Sequence, residues 1–419
     1  MVNEFMVKNY RNVSVDNTTL GKINLLIGPN GSGKSNFLKA LGFCARVVQN
    51  RPKPNEGTTA LFETLSQNGW NRMLNFRADS SFIEFSWIFS SDQRKEPYQY
   101  KLKLHVGDKA VNQLDFYIAS EYFAYAKSLD SQHKTPYKFF NCHDQTPGIG
   151  YFTYGGHMGQ LSVRNNEVAF LQLDELRDAD VEFDVNYRSV YAERINDLLK
   201  FLSRFYSYSC SDFSLKQIKK PIKSISSSFL ASDASNLVNL LYRWLQDDYD
   251  TLYEYRKMIT PLFSEVHPVE VYIDPVPQTN DSQLMIGVHK QRYLLDDLSD
   301  GTIRAMIMAA LLVDRKDKMS VCSIDEPEMN LHPEWQSRFS DWLLSSNASQ
   351  QFFISSHSPE ILDPLTPAFM RGDLKLFVFS DTDPLVELSP DKISDLYGKG
   401  FNIGDLYRSK SIEIGGWPK

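Results

Sequence analysis

The most specific chemical pattern in the chain is at residues 28–35, which read Gly-Pro-Asn-Gly-Ser-Gly-Lys-Ser. They match G-x-x-x-x-G-K-[ST], a motif that holds nucleotide phosphates. Apolar residues 22–27 before it predict a buried strand, and residues 36–41 after it predict the start of a helix. This order places backbone N–H groups and the positive end of a helix dipole around one phosphate chain. The motif therefore predicts a nucleotide site.

Individual residues of this loop have separate expected roles. The ammonium of Lys34 is expected to reach the β- and γ-phosphates, and the hydroxyl of Ser35 is expected to bind Mg²⁺. The glycines let the backbone curl around the phosphates without a Cβ clash. The residues expected to contact ATP in this stretch are Asn30, Gly31, Ser32, Gly33, Lys34, Ser35 and Asn36.

Two adjacent carboxylates, Asp325 and Glu326, end a short apolar strand predicted over residues 319–324. Because side chains alternate along a strand, the two carboxylates point in different directions. Asp325 is predicted to bind Mg²⁺ with Ser35, and Glu326 is predicted to accept the proton of the attacking water. Glu328 is a third carboxylate, for which a structural role and a supporting role remain equally open.

A histidine and a serine–glycine turn complete the set. His357 follows the apolar strand predicted at residues 351–355, and the carboxyl ends of strands face the ligand crevice in α/β sheets. It could donate a hydrogen bond to the γ-phosphate or to the water.

Ser299 and Gly301 lie in a turn that leads into an apolar helix at residues 305–313, and a helix N-terminus attracts anions. This turn has no lysine, so it is expected to meet a phosphate that is held elsewhere.

Composition narrows the function classes. The chain has 419 residues and a net charge of −7 from 45 basic and 52 acidic residues, so nucleic-acid contact would need a local basic patch. The lysine run (Lys216, Lys219, Lys220 and Lys223) is either a solvated loop or such a contact. Four cysteines without a C-x-x-C pair favour a reducing compartment. With no signal-peptide pattern and an apolar run far shorter than a membrane span, we expect a cytoplasmic protein without membrane contact.

The remaining pattern predicts three parts: residues 1–105 with the phosphate loop, an inserted β/helical region at 106–285, and residues 286–419 with the carboxylates and histidine. Residues 14–18 read as a turn-rich link. Expected strands are 4–10, 82–89 and 98–105 (the last two as a hairpin), 116–126, and a glycine-bounded hairpin over 148–156. Expected helices are 61–65, 192–207, 236–245 and 251–266.

The four motifs, in this order, resemble those of ATP-binding-cassette (ABC) ATPases. About 290 residues separate Ser35 from Asp325, more than in transporter cassettes, and the sequence around the phosphate loop is similar to the SMC/RecF/OLD branch. The segments 298–304, 324–333 and 356–360 look like those of the compact prokaryotic AAA "predicted ATPases" of that branch. Residues 233–237 resemble a recurring piece of the same family. The resemblance is dense at both ends of the chain and thin in the middle.

The resemblance implies an α/β fold of the ABC ATPase head (P-loop NTPase) type. Its expected parts are a central mixed sheet, an antiparallel β lobe and an inserted, mostly helical middle region. It also implies an ATP-hydrolysing homodimer, or a higher oligomer, in which Ser299 and Gly301 of one subunit reach the γ-phosphate held by Lys34 of the other. Gln67 is expected at the position of the family's Q-loop glutamine, which contacts Mg²⁺ or the water. Asp300 departs from the glycine of transporter signatures.

Related OLD proteins carry a C-terminal TOPRIM nuclease, and Asp381-Thr382-Asp383 is too near the end of the sequence to head such a domain. The resemblance therefore implies an ATPase that controls a separate effector, plausibly a nuclease, in prokaryotic anti-phage defence. The alternative is a RecF-like DNA-binding ATPase in repair or recombination. A non-enzymatic ATP-binding scaffold and a transporter motor fit the complete motif set less well.

Overall fold

The computed structural model describes the whole chain except for fifteen short segments. These are residues 53–57, 68, 70–71, 76, 92–93, 108–115, 129–134, 143–148, 155–156, 173–184, 265–266, 314–319, 347–349, 381–384 and 410–419. His143, which forms the one adjacent Cys–His pair of the sequence with Cys142, lies outside the described residues, and so does the stretch Asp381-Thr382-Asp383. In the described part, no helix combines the length and the apolar character needed to cross a bilayer.

In the described structure, strands and helices alternate one by one from residue 300 to residue 378. The strands are β1 (Val2–Tyr10), β2 (Val13–Thr19), β3 (Ile23–Ile27), β4 (Phe82–Phe89), β5 (Tyr98–Val106), β6 (Phe116–Tyr125), β7 (Lys138–Cys142), β8 (Ile149–Tyr154), β9 (His157–Ser162), β10 (Phe205–Ser209), β11 (Ile222–Lys223), β12 (Glu270–Pro275), β13 (Asp281–Val288), β14 (Gln291–Leu294), β15 (Val321–Asp325), β16 (Gln351–Ser355), β17 (Lys375–Val378) and β18 (Val386–Leu388). The helices are α1 (Lys34–Leu41), α2 (Phe43–Gln49), α3 (Ala60–Gln67), α4 (Val185–Ser203), α5 (Leu215–Ile218), α6 (Leu237–Asp247), α7 (Tyr249–Ile259), α8 (Asp300–Val313), α9 (Pro333–Ser345), α10 (Pro359–Met370), α11 (Ser394–Tyr397) and α12 (Ile403–Ser409).

The central sheet has the strand order β10-β15-β16-β3-β17-β18. All neighbours are parallel except β17 and β18, which makes the sheet mixed. β16 lies between β3 and β15, and Ser355 is in register with both Leu26 and Asp325. The carboxyl ends of these three strands therefore meet at one edge, where α/β sheets bind ligands.

Both faces of the central sheet are buried, as expected for parallel strands. All five residues of β3 are buried, and they divide between two apolar cores. Leu25 and Ile27 pack on the side of α8, whose residues 303–313 are all buried. Leu26 packs on the other side, with Phe37 of α1 and the aromatic residues of the antiparallel sheet. A helix apolar on all sides, such as α8, is stable because it lies inside the protein.

The second sheet is antiparallel, with the order β2-β1-β4-β5-β6-β7-β8-β9. The predicted hairpin of residues 82–89 and 98–105 is confirmed, since β4 pairs with β5 from Phe82 opposite His105 onward. The hairpin predicted over 148–156 is also present, and its second strand, β9, extends to Ser162. This sheet takes strands from both sides of residue 105, so the three-part division stays a prediction.

Two local predictions were wrong. Residues 14–18 are not a turn-rich link, because they belong to β2, which pairs with β1. Val13 and Val15 point into the core while polar residues alternate outward, and pairing with β1 outweighs the turn preference of Asp and Asn. The helix predicted over 192–207 ends at Ser203, and Phe205 instead begins β10, parallel to β15. The helices predicted over 61–65 and 236–245 are present as α3 and α6. The helix predicted over 251–266 is present in part, because α7 ends at Ile259, and residues 265–266 lie outside the described residues.

Candidate functional site

The phosphate loop connects β3 to α1 at the sheet edge. Gly28 has a φ of 144°, and a Cβ there would lie 2.3 Å from the backbone oxygen of Phe379. Gly33 has a φ of 110°, and a Cβ there would lie 2.9 Å from Val13. Side chains at these positions would force both a strained backbone and a steric clash. The glycine spacing thus follows from how tightly the loop is packed.

Lys34 is buried at the first turn of α1, with 5% of its surface exposed. Its Nζ donates to the carbonyl oxygens of Gly28 at 2.7 Å and Pro29 at 3.0 Å. Burial lowers the pKa of Lys34 below its usual value, and the charges of Glu326 and Asp325 oppose this shift. The lysine therefore faces a carboxylate-lined region, and two of its three ammonium hydrogens hold the loop itself.

Ser35 and Asp325 meet at the same edge. Ser35 Oγ donates to Asp325 Oδ1 over 3.1 Å, although 290 residues separate them. Ser355, at the end of the intervening β16, also donates its hydroxyl to Asp325 Oδ1. A hydroxyl and a carboxylate are hard oxygen ligands, and Mg²⁺ binds one or two such groups together with water and phosphate oxygens. The donor set fits Mg²⁺, and no cluster of three or more His, Cys, Asp or Glu suited to a metal occurs among the described residues.

Glu326 follows Asp325 and has an unusual backbone conformation. Its φ is 55°, in the left-handed region that a glutamate rarely adopts. Its N–H donates to the backbone oxygen of Ser355 at 3.1 Å, which ties this strained residue to β16. The side chain is partly exposed at the sheet edge. Strained residues that the surroundings hold in place concentrate at functional sites, so this outlier supports a role for Glu326.

Glu328 and His357 form a pair beside these carboxylates. Glu328 Oε1 accepts the backbone N–H of His357 at 2.7 Å and lies 3.0 Å from its Nδ1. Glu328 is buried, whereas the His357 side chain is 45% exposed. Burial raises the pKa of Glu328, and its hydrogen bond from the His357 backbone opposes that shift. With Nδ1 held by Glu328, Nε2 is the ring nitrogen left to face a ligand.

The Ser299–Gly301 turn has a different environment. Ser299 Oγ accepts the N–H of Thr302 at 3.1 Å and so caps α8. The side chain of Asp300 is 64% exposed and forms an ion pair with Lys219, Nζ to Oδ1, at 2.9 Å. Within the described part of the chain, the hydrogen bonds of Ser299 stay inside this turn. Among the described residues, no hydrogen bond or ion pair joins this turn to Lys34.

Comparison with known proteins assigns the family. A family model for the AAA ATPase domain matches residues 1–362. The chain belongs to this family. The ATPase family predicted from the motifs is therefore confirmed, and so is the α/β P-loop fold class. No curated protein matches the sequence.

Several solved structures are similar to this ATPase, among them heads of SMC proteins. One is an SMC head bound to the C-winged helix domain of ScpA, at 12% identity, covering 94% of this chain and 99% of that chain, with a TM-score of 0.49. An SMC head domain from Thermotoga maritima has 13% identity, coverage of 90% and 93%, and a TM-score of 0.41. A third SMC head, with an extended coiled coil and bound to the C-terminal domain of ScpA derived from Pyrococcus furiosus, has 11% identity, coverage of 95% and 98%, and a TM-score of 0.45.

Gln67 of this ATPase lies at the C-terminal end of α3 and is exposed. Its Oε1 accepts a hydrogen bond from Asn50 Nδ2 at 3.1 Å. This contact connects Gln67 to the residue that ends α2, rather than to Ser35 or Asp325. Its contact with Mg²⁺ or water stays a prediction.

Sequence reasoning missed residues that support the phosphate loop from outside it. The turn between β1 and β2 lies beside the loop, where Asn12 Nδ2 donates to Gly31 O at 2.8 Å. Asn12 Oδ1 accepts from Asn36 Nδ2 at 2.7 Å, and Arg11 also approaches Asn36. Ser355 joins Asp325, as described above. These contacts depend on chain segments that come together only in the fold, so no local sequence pattern marks them.

Proposed function

We propose that this ATPase binds and hydrolyses Mg²⁺-ATP at the edge formed by β3, β16 and β15. The observation that carries the proposal is the 3.1 Å hydrogen bond between Ser35 and Asp325, with Glu326 next in the chain. These are the residue types that phosphoryl transfer needs: a phosphate loop, oxygen ligands for a metal, and a carboxylate for the water.

Each residue has one task in this mechanism. Lys34 and the loop N–H groups bind the β- and γ-phosphates. Ser35 and Asp325 would hold Mg²⁺, which would neutralise part of the phosphate charge. Glu326 orients the attacking water and accepts its proton. His357, oriented by Glu328, faces the γ-phosphate with Nε2. When both ring nitrogens carry a proton, Nδ1 donates to Glu328 and Nε2 donates to the γ-phosphate. For Gln67 we propose contact with the metal or the water, by analogy with the glutamine of the family.

We further propose that two copies sandwich ATP. The support is the exposure of the Ser299–Gly301 turn at the N-terminus of α8, because unbonded backbone N–H groups and a serine hydroxyl there suit a phosphate. In a two-fold dimer, the turn of one copy would meet the nucleotide held by Lys34 of the other, and the reverse. ATP then acts as part of the interface.

The biological role we propose is control of a separate effector, a nuclease in anti-phage defence. This part rests on resemblance to the SMC/RecF/OLD branch and is an argument by analogy. It can be tested by purifying the ATPase with the protein encoded by the neighbouring gene and assaying nucleic-acid cleavage with and without ATP. A rate of nucleic-acid cleavage that is the same with and without ATP and the ATPase would contradict the proposal.

The catalytic mechanism is tested with Glu326→Gln, which keeps the side-chain size and removes the base. ATP affinity should stay within about twofold of wild type, turnover should fall at least about a hundredfold, and an ATP-bound dimer should accumulate. The measurements are phosphate release and light scattering with and without ATP. Glu334→Gln, an exposed glutamate at the start of α9, is the matched control and should behave as wild type. Wild-type turnover in Glu326→Gln would exclude Glu326 as the base.

A further inference from the structure

The C-terminal helix α12 is fixed against α10 beside the nucleotide site. The backbone N–H of Ile403 donates to Thr366 Oγ1 at 3.0 Å, and this contact is buried. Arg408 pairs with Asp363 at 3.0 Å and Glu360 at 3.2 Å on the outer side. These contacts hold α12 at both of its ends, so its inner residues have a defined position.

Tyr407 is the residue of α12 that reaches the phosphate loop. Its hydroxyl donates to the carbonyl oxygen of Gly28 at 3.3 Å, across 379 residues of sequence. The side chain is 6% exposed, so water competes little for this hydrogen bond. Burial raises the pKa of Tyr407 to about 12, which keeps the hydroxyl protonated and able to donate at any ordinary pH.

The same carbonyl also holds the lysine of the loop. Gly28 O accepts from Lys34 Nζ at 2.7 Å and from Tyr407 Oη at 3.3 Å. A carbonyl oxygen has two lone pairs, so both donors can be satisfied together. With both Tyr407 Oη and Lys34 Nζ bound to its oxygen, the Gly28 peptide has little freedom to rotate. The position of this oxygen in turn fixes the ammonium of Lys34.

We propose that Tyr407 is a positioning residue for nucleotide binding: its hydroxyl orients the Gly28 carbonyl, which aims Lys34 at the β- and γ-phosphates. This inference rests on the proposed ATP site and adds a residue from outside every motif. It also makes α12 part of the nucleotide site. Tyr407 itself touches no phosphate in this scheme and acts through Lys34.

The test is Tyr407→Phe, which removes the hydroxyl and keeps the buried ring. The affinity for the β,γ-imido analogue of ATP, measured by calorimetry with Mg²⁺, should fall about fivefold, the worth of one neutral hydrogen bond. In steady-state assays the KM for ATP should rise by a similar factor, with kcat within about twofold of wild type. A role confined to packing α12 would instead lower the melting temperature and the active fraction, and leave KM unchanged.

Tyr397→Phe in α11 is the matched control, because it removes a tyrosine hydroxyl from a neighbouring helix. It should leave both affinity and KM at wild-type values. Wild-type affinity in Tyr407→Phe, while the unmodified protein binds the analogue, would overturn this inference alone. If the unmodified protein does not bind the analogue, the proposed ATP site fails, and the role of Tyr407 fails with it.

Discussion

The phosphate loop and the Ser299–Gly301 turn are both proposed anion sites at helix N-termini, yet they differ in how completely one chain builds them. Lys34 is 5% exposed, and the loop is bonded to distant parts of the chain. The side chain of Asp300 is 64% exposed, and Ser299 bonds only within its turn in the described structure. The contrast favours our proposal that one chain completes the loop, whereas the turn needs a second surface before it can hold a phosphate.

Lys34→Ala should give the largest effect, because it removes a buried cation from the phosphate loop. The charge of Lys34 and the charge-assisted hydrogen bond from its remaining ammonium hydrogen to phosphate would be lost together, so ATP affinity should fall about a thousandfold. Calorimetric titration measures this directly.

Ser299→Glu, in contrast, should leave ATP binding by the monomer unchanged and abolish ATP-dependent dimerisation, since a carboxylate would face the γ-phosphate. If Lys34→Ala and Ser299→Glu lose the same ATP affinity as monomers, the loop and the turn do not differ in the way we propose.

Mixing these two variants sharpens the comparison further. A mixed dimer contains one site with an intact Lys34 from one chain and an intact Ser299 from the other. Hydrolysis should therefore appear in the mixture although neither variant alone has it. A mixture as inactive as its components would show that the turn does not act across an interface.

A buried carboxyl in the antiparallel sheet should affect the stability of the fold without affecting nucleotide binding. Glu121 accepts from Tyr100 Oη at 2.9 Å and from the Ala169 N–H at 2.8 Å, and burial raises its pKa to about 8. The folded state thus holds this proton more tightly than the unfolded state. The contribution of this proton to the free energy of unfolding is complete below about pH 4.5 and is lost as the pH rises toward 8. By pH 7 the loss amounts to about 3 kcal/mol.

Glu121→Gln should remove this pH-dependent loss. Urea unfolding at several pH values between 5 and 8 should give a smaller decline in the free energy of unfolding than in wild type, with ATP affinity unchanged. Glu387→Gln, which changes an exposed carboxylate on β18, is the control and should follow wild type. A variant whose unfolding free energy declines with pH as steeply as that of wild type would show that Glu121 is ionised in the fold.

Glu328→Gln should have a smaller effect, centred on His357. A glutamine can still accept the His357 N–H but no longer holds Nδ1 with a charge, so the ring loses its fixed orientation. We expect kcat to fall about tenfold, with the KM for ATP within about twofold. His357→Ala should lower kcat further, and the double variant should be no worse than His357→Ala. Additive losses would mean that Glu328 acts independently of His357.

Lys219→Ala should have the smallest effect. Asp300 is largely exposed, so its ion pair with the partly buried Lys219 is screened by water, and the free energy of unfolding should change by less than about 1 kcal/mol. ATP-dependent dimerisation should weaken about threefold, because Asp300 then faces the nucleotide without its partner. Adding Asp300→Asn should restore dimerisation, as measured by light scattering over a range of ATP concentrations. If Asp300→Asn does not restore dimerisation, the Lys219–Asp300 ion pair has no role in the interface.

Sequence reasoning succeeded where local pattern decides the outcome. The strand, loop and helix around Lys34, and the strand ending at Asp325, follow from adjacent residues and are present in the structure. It failed at β2, where pairing with β1 decides the structure and the polar letters suggest a turn. Tyr407 and Ser355 were missed because their partners lie 379 and 30 residues away. The pairing of β16 with both β3 and β15 is a long-range property that no single segment encodes.

The left-handed backbone of Glu326 has a consequence for how this site can change by mutation. A residue other than glycine or asparagine at a φ of 55° costs folding free energy of order 1 kcal/mol. Replacement by glycine would relieve that cost and remove the proposed base in one step. Selection for heat resistance alone would thus favour losing the carboxylate. Laboratory evolution for heat resistance without an activity screen should therefore replace Glu326 by glycine, whereas the same experiment with an ATPase screen should keep the glutamate.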